Sequence, residues 1–214
     1  MTSKARALFR ERAEHLRLRE QLQGELRTAY DDIIAGWARA LDRREQQAEG
    51  HTVRAAALTV RLGRALGLEE EVLAHLRRGA LLHDIGTMLI PDTILLKPGP
   101  LTEQEWEAIQ RHPIYAYEIL SPITQFRPAL DIPYCHHEKW DGSGYPRRLA
   151  GEQIPVAARI YSVVDVWDAL CSERPYRAAW TPDEAQEYLC DHAGRDFDPG
   201  TVEAFITMDR ESPS

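Results

Sequence analysis

Residues 79–90 constrain the fold and the chemistry of this chain more than any other stretch. A short apolar run, Ala80–Leu82, leads into His83 and Asp84, and Gly86 follows where a helix would end. Because adjacent residues on a helix point about 100° apart, the two polar side chains can converge only at a helix end. Such a pair forms half of a metal site, or it is a polar hydrogen bond that closes a buried helix. The other histidines decide between these interpretations.

The longest helical pattern lies at the start of the chain. Residues 4–46 contain no proline and only two glycines, so we expect one long helix. Its first half is too charged for a core, which favours a coiled-coil stalk, with a solvated and frayed helix as the alternative. Its second half carries an apolar stripe that is expected to pack on the domain body: Leu22, Leu26, Tyr30, Ile33, Trp37 and Leu41.

The remaining patterns are also helical. Apolar spacing, capping residues and glycine or proline stops predict helices over 52–65, 69–83, 102–111, 122–138, 156–172, from 182 and over 199–208. Prolines and glycines predict loops over 86–100 and 141–155. No stretch alternates apolar and polar residues with the period of a strand. The predicted fold is an all-α helical bundle.

The net charge and the cysteine content indicate which partners and which cellular compartment to expect. The 34 acidic and 26 basic residues give a net charge of −8, which argues against binding to a nucleic acid polymer. The three cysteines lack CxxC spacing and are expected to be free thiols in a reducing compartment. No secretory signal and no apolar stretch of about 20 residues is present, so we expect a cytoplasmic protein without a membrane span.

Five of the eight histidines lie at predicted helix ends or beside loops: His51, His83, His112, His136 and His137. Asp165 stands inside the apolar run 160–167, where a buried carboxylate needs a cation or a hydrogen-bond network; a polar pair with Asp168 is the alternative. A lone histidine near a helix end is more often a cap, and His15, His75 and His192 are interpreted in that way. Nitrogen and carboxylate ligands suit iron, manganese or zinc, and seven of them, Asp84 included, fit two metals better than one.

These residues lie in a series of motifs that follow the order of the HD-GYP domain family. The motifs are Glu49-Gly50-His51, His83-Asp84-Ile85-Gly86, Arg111-His112-Pro113, His136-His137-Glu138, Asp141-Gly142-Ser143-Gly144-Tyr145-Pro146, Asp165-Val166-Trp167-Asp168 and Arg174-Pro175-Tyr176-Arg177. The chain resembles this bacterial branch of the HD phosphohydrolases, whose members hydrolyse the second messenger cyclic di-GMP. The resemblance implies an HD-type helical domain over 25–208, with an N-terminal stalk over 1–24 and a tail over 209–214.

The resemblance also implies a dinuclear metal centre. One metal would be bound by His51, His83, Asp84 and Asp165, and the second by His112, His136 and His137, with Asp84 bridging the two. The expected cofactors are two divalent ions, with iron first and manganese or zinc as alternatives. A hydroxide between the metals would attack phosphorus, because metal binding lowers the pKa of water towards about 7. Cyclic di-GMP would then be cut to linear pGpG, with GMP as an open further product.

Three side chains are implied as substrate contacts. Tyr145 of the Gly-Tyr-Pro loop, together with Arg174 and Arg177, resembles the part of the family site that binds the guanylate phosphates. Arginine suits this role because its planar fork of donors matches phosphate oxygens. Salt bridges between this loop and nearby helices are the structural alternative for the arginines. Lys97 is a further candidate, reaching the substrate from the 86–100 loop.

Two positions depart from the family pattern. Thr87 stands where the family usually has a lysine that contacts the scissile phosphate, and the loss of one such contact typically lowers the rate by about 10²–10³-fold. Gln47 stands where some members place a glutamate ligand for a third metal, so we expect two metals. The leading hypothesis is therefore a cyclic di-GMP phosphodiesterase with Asp84 and Thr87 at the reacting phosphate. The alternatives are a catalytically weak module that binds the nucleotide or a protein, and a phosphohydrolase for another nucleotide.

The resemblance and the N-terminal helix also suggest partners. Domains of this type usually follow a sensory or receiver domain, and nothing before residue 22 is expected to fold alone. The expected partners are cyclic di-GMP, a sensory protein or diguanylate cyclase, and a second copy of the chain bound through the N-terminal helix.

Overall fold

The computed structural model describes residues 3–46, 50–173 and 178–210. Within these ranges the chain consists of α-helices, short 3₁₀ helices and connecting turns, with no strand, which confirms the all-α prediction. The chain forms two compact units, Met1–Gly36 and Trp37–Ser214. None of the described helices is long and apolar enough to cross a membrane.

The helices are numbered here in chain order. They are α1 (Ser3–Arg44), α2 (His51–Ala65), α3 (Glu70–Leu81), α4 (Asp92–Leu95), α5 (Glu103–Ile109), α6 (His112–Leu120), α7 (Asp131–Cys135), α8 (Val156–Cys171), α9 (Pro182–Asp191) and α10 (Pro199–Arg210). Short 3₁₀ helices cover Ile85–Leu89, Thr124–Ala129 and Gly151–Gln153.

Capping residues set several helix starts where the sequence predicts them. Thr102 accepts a hydrogen bond from the Glu105 backbone N–H, and the Glu105 carboxylate accepts one from the Thr102 N–H. Thr181 and Glu184 form the same reciprocal pair ahead of α9, whose first residue is Pro182. Each pair satisfies two backbone donors that a helix start would otherwise leave without partners.

The prediction of one helix over 122–138 is wrong. The segment instead forms the 3₁₀ helix Thr124–Ala129, which contains Pro128, followed by the single turn of α7. Proline has no backbone N–H and its ring collides with the preceding turn, so the prolines in this stretch prevent a continuous α-helix. The consequence is functional, because α7 ends just where His136 and His137 begin.

Helix α8 is the centre of the second unit. It packs against α2, α7, α9 and α10, and its apolar residues Ile160, Val163 and Val164 are fully buried. Trp167 adds a ring contact to Phe205 of α10, with ring centroids 4.9 Å apart. Each such buried side chain stabilises the fold by about 1.5–3 kcal/mol, so α8 is a rigid base for the Asp165 that it carries.

The apolar stripe expected to pack from Leu22 onward is largely exposed. Leu22, Leu26 and Ile33 are 54%, 64% and 55% exposed, so the prediction that they are buried is wrong. Leu41, the last residue of the predicted stripe, is buried, together with Ile34 and Ala38, which lie on a neighbouring face of the helix. The helix therefore has two neighbouring apolar faces, one exposed and one buried. The sequence analysis treated them as a single buried stripe.

Candidate metal centre

Two helix ends and the central helix bring together a first cluster of ligand-type side chains. His51 is the first residue of α2, His83 lies two residues beyond α3, and Asp165 lies within α8. One nitrogen or oxygen atom from each residue lies within 4.8 Å of the others. His51 and His83 are buried and Asp165 is half-buried, so the ligand atoms converge in a place with little access to bulk water.

A second cluster lies next to the first. One ligand atom each from Asp84, His112, His136 and His137 lies within 4.8 Å of the others. His112 is the first residue of α6, and His136 and His137 directly follow α7. The structure thus brings all seven predicted ligand residues together in two groups. Metal binding by these residues stays a prediction.

Asp84 faces both clusters through different oxygen atoms. Its Oδ2 lies 2.8 Å from Nε2 of His83, in the first cluster. Its Oδ1 lies 3.3 Å from Nε2 of His112 and 3.6 Å from Nε2 of His136, in the second. A carboxylate that offers one oxygen to each group has the geometry of a bridging ligand between two metal ions.

Four histidines are oriented by contacts on the far side of their rings. Nδ1 lies near a backbone carbonyl oxygen in His83 (Ala80, 2.9 Å), His112 (Ile109, 2.8 Å) and His136 (Ile132, 2.9 Å), and near the Asp168 carboxylate in His51 (2.6 Å). Because a carbonyl oxygen can only accept, Nδ1 must carry the proton in the first three. In the neutral form of these rings, the lone pair of Nε2 then lies inside the centre. Histidine ligands of metal sites are oriented in this way, so the donor set fits a metal.

The donor set also indicates which metals fit. All seven side chains offer nitrogen or oxygen, and the nearby Cys135 stays a neutral thiol because burial and the charge of Glu138 raise its pKa to about 11. Nitrogen and carboxylate ligands without thiolates suit iron, manganese or zinc.

The two clusters differ in charge before a metal binds. In the first, burial opposes protonation of His51, but Asp165 and Asp168 outweigh it and raise its pKa to about 10. Burial likewise opposes protonation of His83, and Asp84 outweighs it and raises the pKa to about 9.

The second cluster favours neutral histidines. Burial and the neighbouring imidazoles hold the pKa of His137 well below its ordinary value, and burial lowers the pKa of His136 despite the charge of Asp84. Burial alone would raise the pKa of Asp84, but His83, His112 and His136 hold it well below its ordinary value. Near pH 7 the second cluster is therefore an ionised carboxylate facing histidines, of which His136 and His137 favour the neutral form.

Metal loading at pH 7 is expected to release protons mainly from the first cluster. A metal must displace the protons of His51 and His83, whose pKa values of about 10 and 9 lie above pH 7. Metal affinity of this cluster should therefore rise as pH increases from 6 towards 9. Calorimetric titration with Mn²⁺ in buffers of different ionisation enthalpy measures the number of protons released. The variant His137→Ala should keep this release, and loading without proton release would contradict the prediction.

Asp168, one turn after Asp165 on α8, orients His51. Its Oδ2 lies 2.6 Å from Nδ1 of His51, and its carboxylate also accepts hydrogen bonds from Arg54 and Ser172. The sequence suggested a polar pair between Asp165 and Asp168. Instead, both carboxylates lie on opposite nitrogen atoms of the same imidazole, since Nε2 of His51 is 3.5 Å from Asp165.

Substitution of Asp168 by asparagine is expected to weaken metal binding about 10–100-fold, the usual effect of losing a carboxylate behind a histidine ligand. The change keeps the size of the side chain but removes the charge that fixes the His51 ring. A competition titration with a chromophoric chelator measures the affinity. Ser172→Ala is the matched control. It removes the hydrogen bond from Ser172 to the Asp168 carboxylate but keeps the contact between Asp168 and His51. Equal affinities in Asp168→Asn and the wild type would contradict the prediction.

The Gly-Tyr-Pro loop is fastened directly to the second cluster. The Tyr145 ring stacks on His137, with centroids 4.7 Å apart and planes 24° apart, and the Tyr145 N–H donates to the His137 carbonyl. The buried carboxylate of Glu138 accepts hydrogen bonds from the N–H groups of Arg147 and Leu149, at 2.7 and 2.9 Å. The residue directly after the two histidines therefore secures the far side of the loop.

Glycine is required at position 144 for this close approach. A Cβ atom there would lie 2.4 Å from the Lys139 backbone nitrogen and 2.5 Å from the His137 carbonyl oxygen. No side chain fits at these distances, so Gly144 permits Tyr145 to reach the metal centre.

Thr87 is buried beside the centre, and its hydroxyl is occupied. Its Oγ1 lies 2.5 Å from Oε1 of Glu45 and 2.8 Å from the Asp84 carbonyl oxygen. Burial and the charge of Asp84 raise the pKa of Glu45 to about 7, against the hydrogen bond from Thr87. Where the family usually has a cation, this chain thus places a threonine bonded to a carboxyl group. Glu45 was missed by sequence reasoning, since nothing near it in the chain marks it.

The remaining predicted substrate contacts are Lys97, Arg174 and Arg177. The Lys97 ammonium is bound by Glu105 at 2.6 Å, so a role at the substrate phosphate stays a prediction. Arg174, Arg177 and Gln47 lie outside the described residues.

Tyr161 was also missed by sequence reasoning. Its fully buried ring lies 5.0 Å from that of His83 and 6.0 Å from that of His136, between centroids. Its hydroxyl has no hydrogen-bond partner in the part of the chain that the structure describes. Tyr161 precedes Asp165 by four residues on α8, so the two side chains lie on the same face of the helix. This spacing could have identified Tyr161 as a neighbour of the metal centre.

Comparison with known proteins adds a family and named relatives. A family model described as "HD domain" matches residues 37–201. The chain is 39% identical, over 187 residues, to the 3'3'-cGAMP-specific phosphodiesterase 2 of Vibrio cholerae, covering 86% of this chain and 36% of that protein. It is 43% identical, over 177 residues, to the cyclic di-GMP phosphodiesterase response regulator RpfG of Xanthomonas campestris, covering 82% and 47%. The chain thus spans between about a third and a half of the length of these relatives.

A solved structure shares the fold. The cyclic GMP-AMP-specific phosphodiesterase of Vibrio cholerae known as V-cGAP3 matches with a TM-score of 0.66 at 22% identity, over 85% of this chain and 49% of that one. At this identity the likeness concerns the helical architecture alone.

Proposed function

The chain belongs to the HD domain family, in its HD-GYP branch, and we propose that it is a metal-dependent phosphodiesterase acting on cyclic dinucleotides, cyclic di-GMP first among them. The observation that carries this proposal is Asp84, whose two oxygen atoms face two adjacent clusters of nitrogen and oxygen ligands. Paired sites bridged by a carboxylate suit in-line displacement at phosphorus.

The metals that best fit this donor set are two divalent ions, with iron first and manganese or zinc as alternatives. When bound, they would neutralise charge on the phosphate and lower the pKa of a water molecule enough for attack at neutral pH. His51, His83 and Asp165 would hold one ion, and His112, His136 and His137 the other, with Asp84 shared. The protein thus needs no nucleophilic side chain of its own.

Tyr145 is the substrate contact that the described residues support best. Its ring is fixed against His137, and burial together with the charges of Asp84 and Asp165 raises the pKa of its hydroxyl above its ordinary value. The phenol therefore stays protonated at neutral pH and can donate a hydrogen bond to a phosphate oxygen. Arg174 and Arg177 remain candidates for the same phosphates on the basis of the family motif.

Purified protein loaded anaerobically with Fe²⁺ or Mn²⁺ is expected to convert cyclic di-GMP to linear pGpG, measured by chromatography. GMP, which would form by further hydrolysis of pGpG, is a second product to measure in the same assay. Absence of linear product with either metal, for a preparation shown to carry two ions per chain, would overturn the proposal.

A related substrate is the second candidate, because the relative from Vibrio cholerae at 39% identity is named for 3'3'-cGAMP. Competition between equal amounts of cyclic di-GMP and 3'3'-cGAMP in one reaction gives the ratio of kcat/KM values directly. A ratio in favour of the mixed dinucleotide would change the assigned substrate but not the reaction class.

A binding module with weak turnover is the other candidate, and the Thr87–Glu45 pair favours it. A buried hydroxyl bonded to a carboxyl group offers less positive charge to a phosphate than an ammonium does. Tight binding of cyclic di-GMP without linear product would support this function.

Thr87→Lys is expected to raise turnover, by up to about 10²-fold, since it adds a cation near the reacting phosphate. Glu45 would bind part of that new charge, so the double variant Thr87→Lys with Glu45→Gln should gain more than the single one. Thr207→Lys, on an exposed part of α10, adds the same charge elsewhere and is the matched control. Unchanged turnover in both Thr87 variants would show that the missing lysine does not limit the rate.

A further inference from the structure

The first unit of the chain exposes a row of large apolar side chains on α1. Leu18, Leu22, Leu26 and Ile33 are 55%, 54%, 64% and 55% exposed, and Ala29 between them is exposed as well. Single exposed leucines are ordinary on a protein surface, but a continuous row is not. This row is called the α1 seam below.

The α1 seam has the spacing of a helix-pairing surface. Its residues follow one another at intervals of four, four, three and four, so that Ala29 and Ile33 repeat Leu18 and Leu22 after 11 residues. An 11-residue repeat corresponds to about 3.67 residues per turn, close to the geometry of a straight α-helix. The seam therefore stays on one side of α1 and can contact a second helix along its whole length.

The two flanks of the seam carry opposite charges. At about 100° per residue, Glu14, Glu25 and Asp32 lie along one flank. Arg12 and Arg19 lie along the other flank. All of these side chains are exposed.

We propose that α1 forms a parallel two-stranded coiled coil with α1 of a second copy of this chain, through the α1 seam. In a parallel pair the acidic flank of one helix faces the basic flank of the other, because the two-fold axis runs along the helices. In an antiparallel pair like flanks would meet, so acid would face acid and base would face base. The charge pattern is thus attractive only for the parallel arrangement.

One pair of residues has the expected offset. Glu14 lies on the acidic flank five residues before Arg19 on the basic flank, the offset at which flanking side chains of parallel helices meet. Two-fold symmetry creates this contact twice in the dimer. The apolar seam provides the affinity, and these exposed charges set the orientation rather than the strength.

The first test is the mass of the full chain in solution, measured by sedimentation equilibrium. A dimer of the 24.4 kDa chain is expected for the wild type, and a single chain for Leu22→Gln with Leu26→Gln, which keeps two good helix formers. Leu16→Gln is the matched control, because Leu16 is also 52% exposed on α1 but lies off the seam. A wild-type monomer, or a dimer unaffected by the double substitution, would overturn the proposal.

Charge reversal tests the orientation. Glu14→Arg and Arg19→Glu each place like charges opposite one another in a parallel dimer, so each variant alone should dimerise more weakly than the wild type at low salt. Mixing the two variants restores opposite charges at both contacts and should give a mixed dimer as stable as the wild type. Failure of the mixture to pair, or pairing of each variant as strongly as the wild type, would rule out the parallel geometry. These outcomes do not depend on whether the metal centre is active.

Discussion

Gly86→Ala is expected to lower the thermal stability of the protein and to separate the two halves of the metal centre. A Cβ atom at this position would lie 1.9 Å from the His112 carbonyl oxygen and 2.6 Å from the Ala116 backbone nitrogen. Both atoms belong to the backbone of α6, so no rotation of a side chain can relieve the collision. The segment that carries Asp84 would be pushed away from the helix that carries His112.

The size of this effect follows from the usual cost of overpacking. Forcing backbone apart in a packed core costs about 3 kcal/mol or more, which lowers the midpoint of thermal unfolding by roughly 6–12 °C in a chain of this length. Metal content should fall below that of the wild type, because Asp84 and His112 would no longer face one ion. Calorimetric unfolding and elemental analysis of the same preparation measure both effects.

Gly24→Ala is the matched control for this prediction. A Cβ atom at Gly24 would meet nothing within 4 Å, and the position lies inside α1. Alanine there gains helix propensity of about 0.8–1 kcal/mol, so stability should be equal or higher. If Gly86→Ala matched this control in both stability and metal content, the close packing of the His-Asp segment on α6 would be refuted.

The helices and their ends could be predicted where the signal is local. Capping boxes at Thr102 and Thr181 act through residues three positions apart, and a sequence displays such pairs directly. His136 and His137 could be named as candidate ligands because two adjacent histidines at a helix end are hard to explain as core. The assignment of all seven ligands rested on the resemblance to the HD-GYP family.

The contacts behind the ligands could not be predicted, because they join residues far apart in the chain. Glu45 meets Thr87 across 42 positions, and His51 meets Asp168 across 117. Only the folding of the second unit, which holds all four of these residues, brings the partners together. The prediction of which side of α1 is buried was wrong for a related reason. Residue spacing identifies an apolar stripe on a helix, but it does not show whether the folded protein buries that stripe.

The end of α1 is fastened to the segment that carries the centre. The Arg44 guanidinium donates hydrogen bonds to the backbone carbonyls of Thr87 and Ile90, at 2.7 and 2.8 Å, and pairs with Asp92. Together with the Glu45 contact, these bonds fix the 3₁₀ helix that follows Asp84. The last turn of α1 is therefore part of the support of the metal centre, although the family motifs begin only after it.

Asp84→Asn is expected to abolish turnover and to reduce the metal content from two ions per chain to at most one. The amide keeps the size of the side chain but lacks the second anionic oxygen, so it cannot serve both clusters. Metal ions supply several kcal/mol of charge stabilisation at a reacting phosphate, so loss of the pair should lower kcat by about 10³-fold or more.

The same substitution should also change how the metal-free protein responds to pH. Asp84 is the group that raises the pKa of His83 to about 9 against burial, so this pair stabilises the fold fully below about pH 6.5 and loses its effect as pH rises through 9. Without the carboxylate, burial and the charge of His51 oppose protonation of His83, and Asp165 is the charge that still favours it. The metal-free variant should therefore lose stability most at pH 6. Asp191→Asn, at an exposed carboxylate at the end of α9, should keep both metals and the wild-type pH profile. Two ions per chain in Asp84→Asn, by elemental analysis, would show that Asp84 is not the bridge.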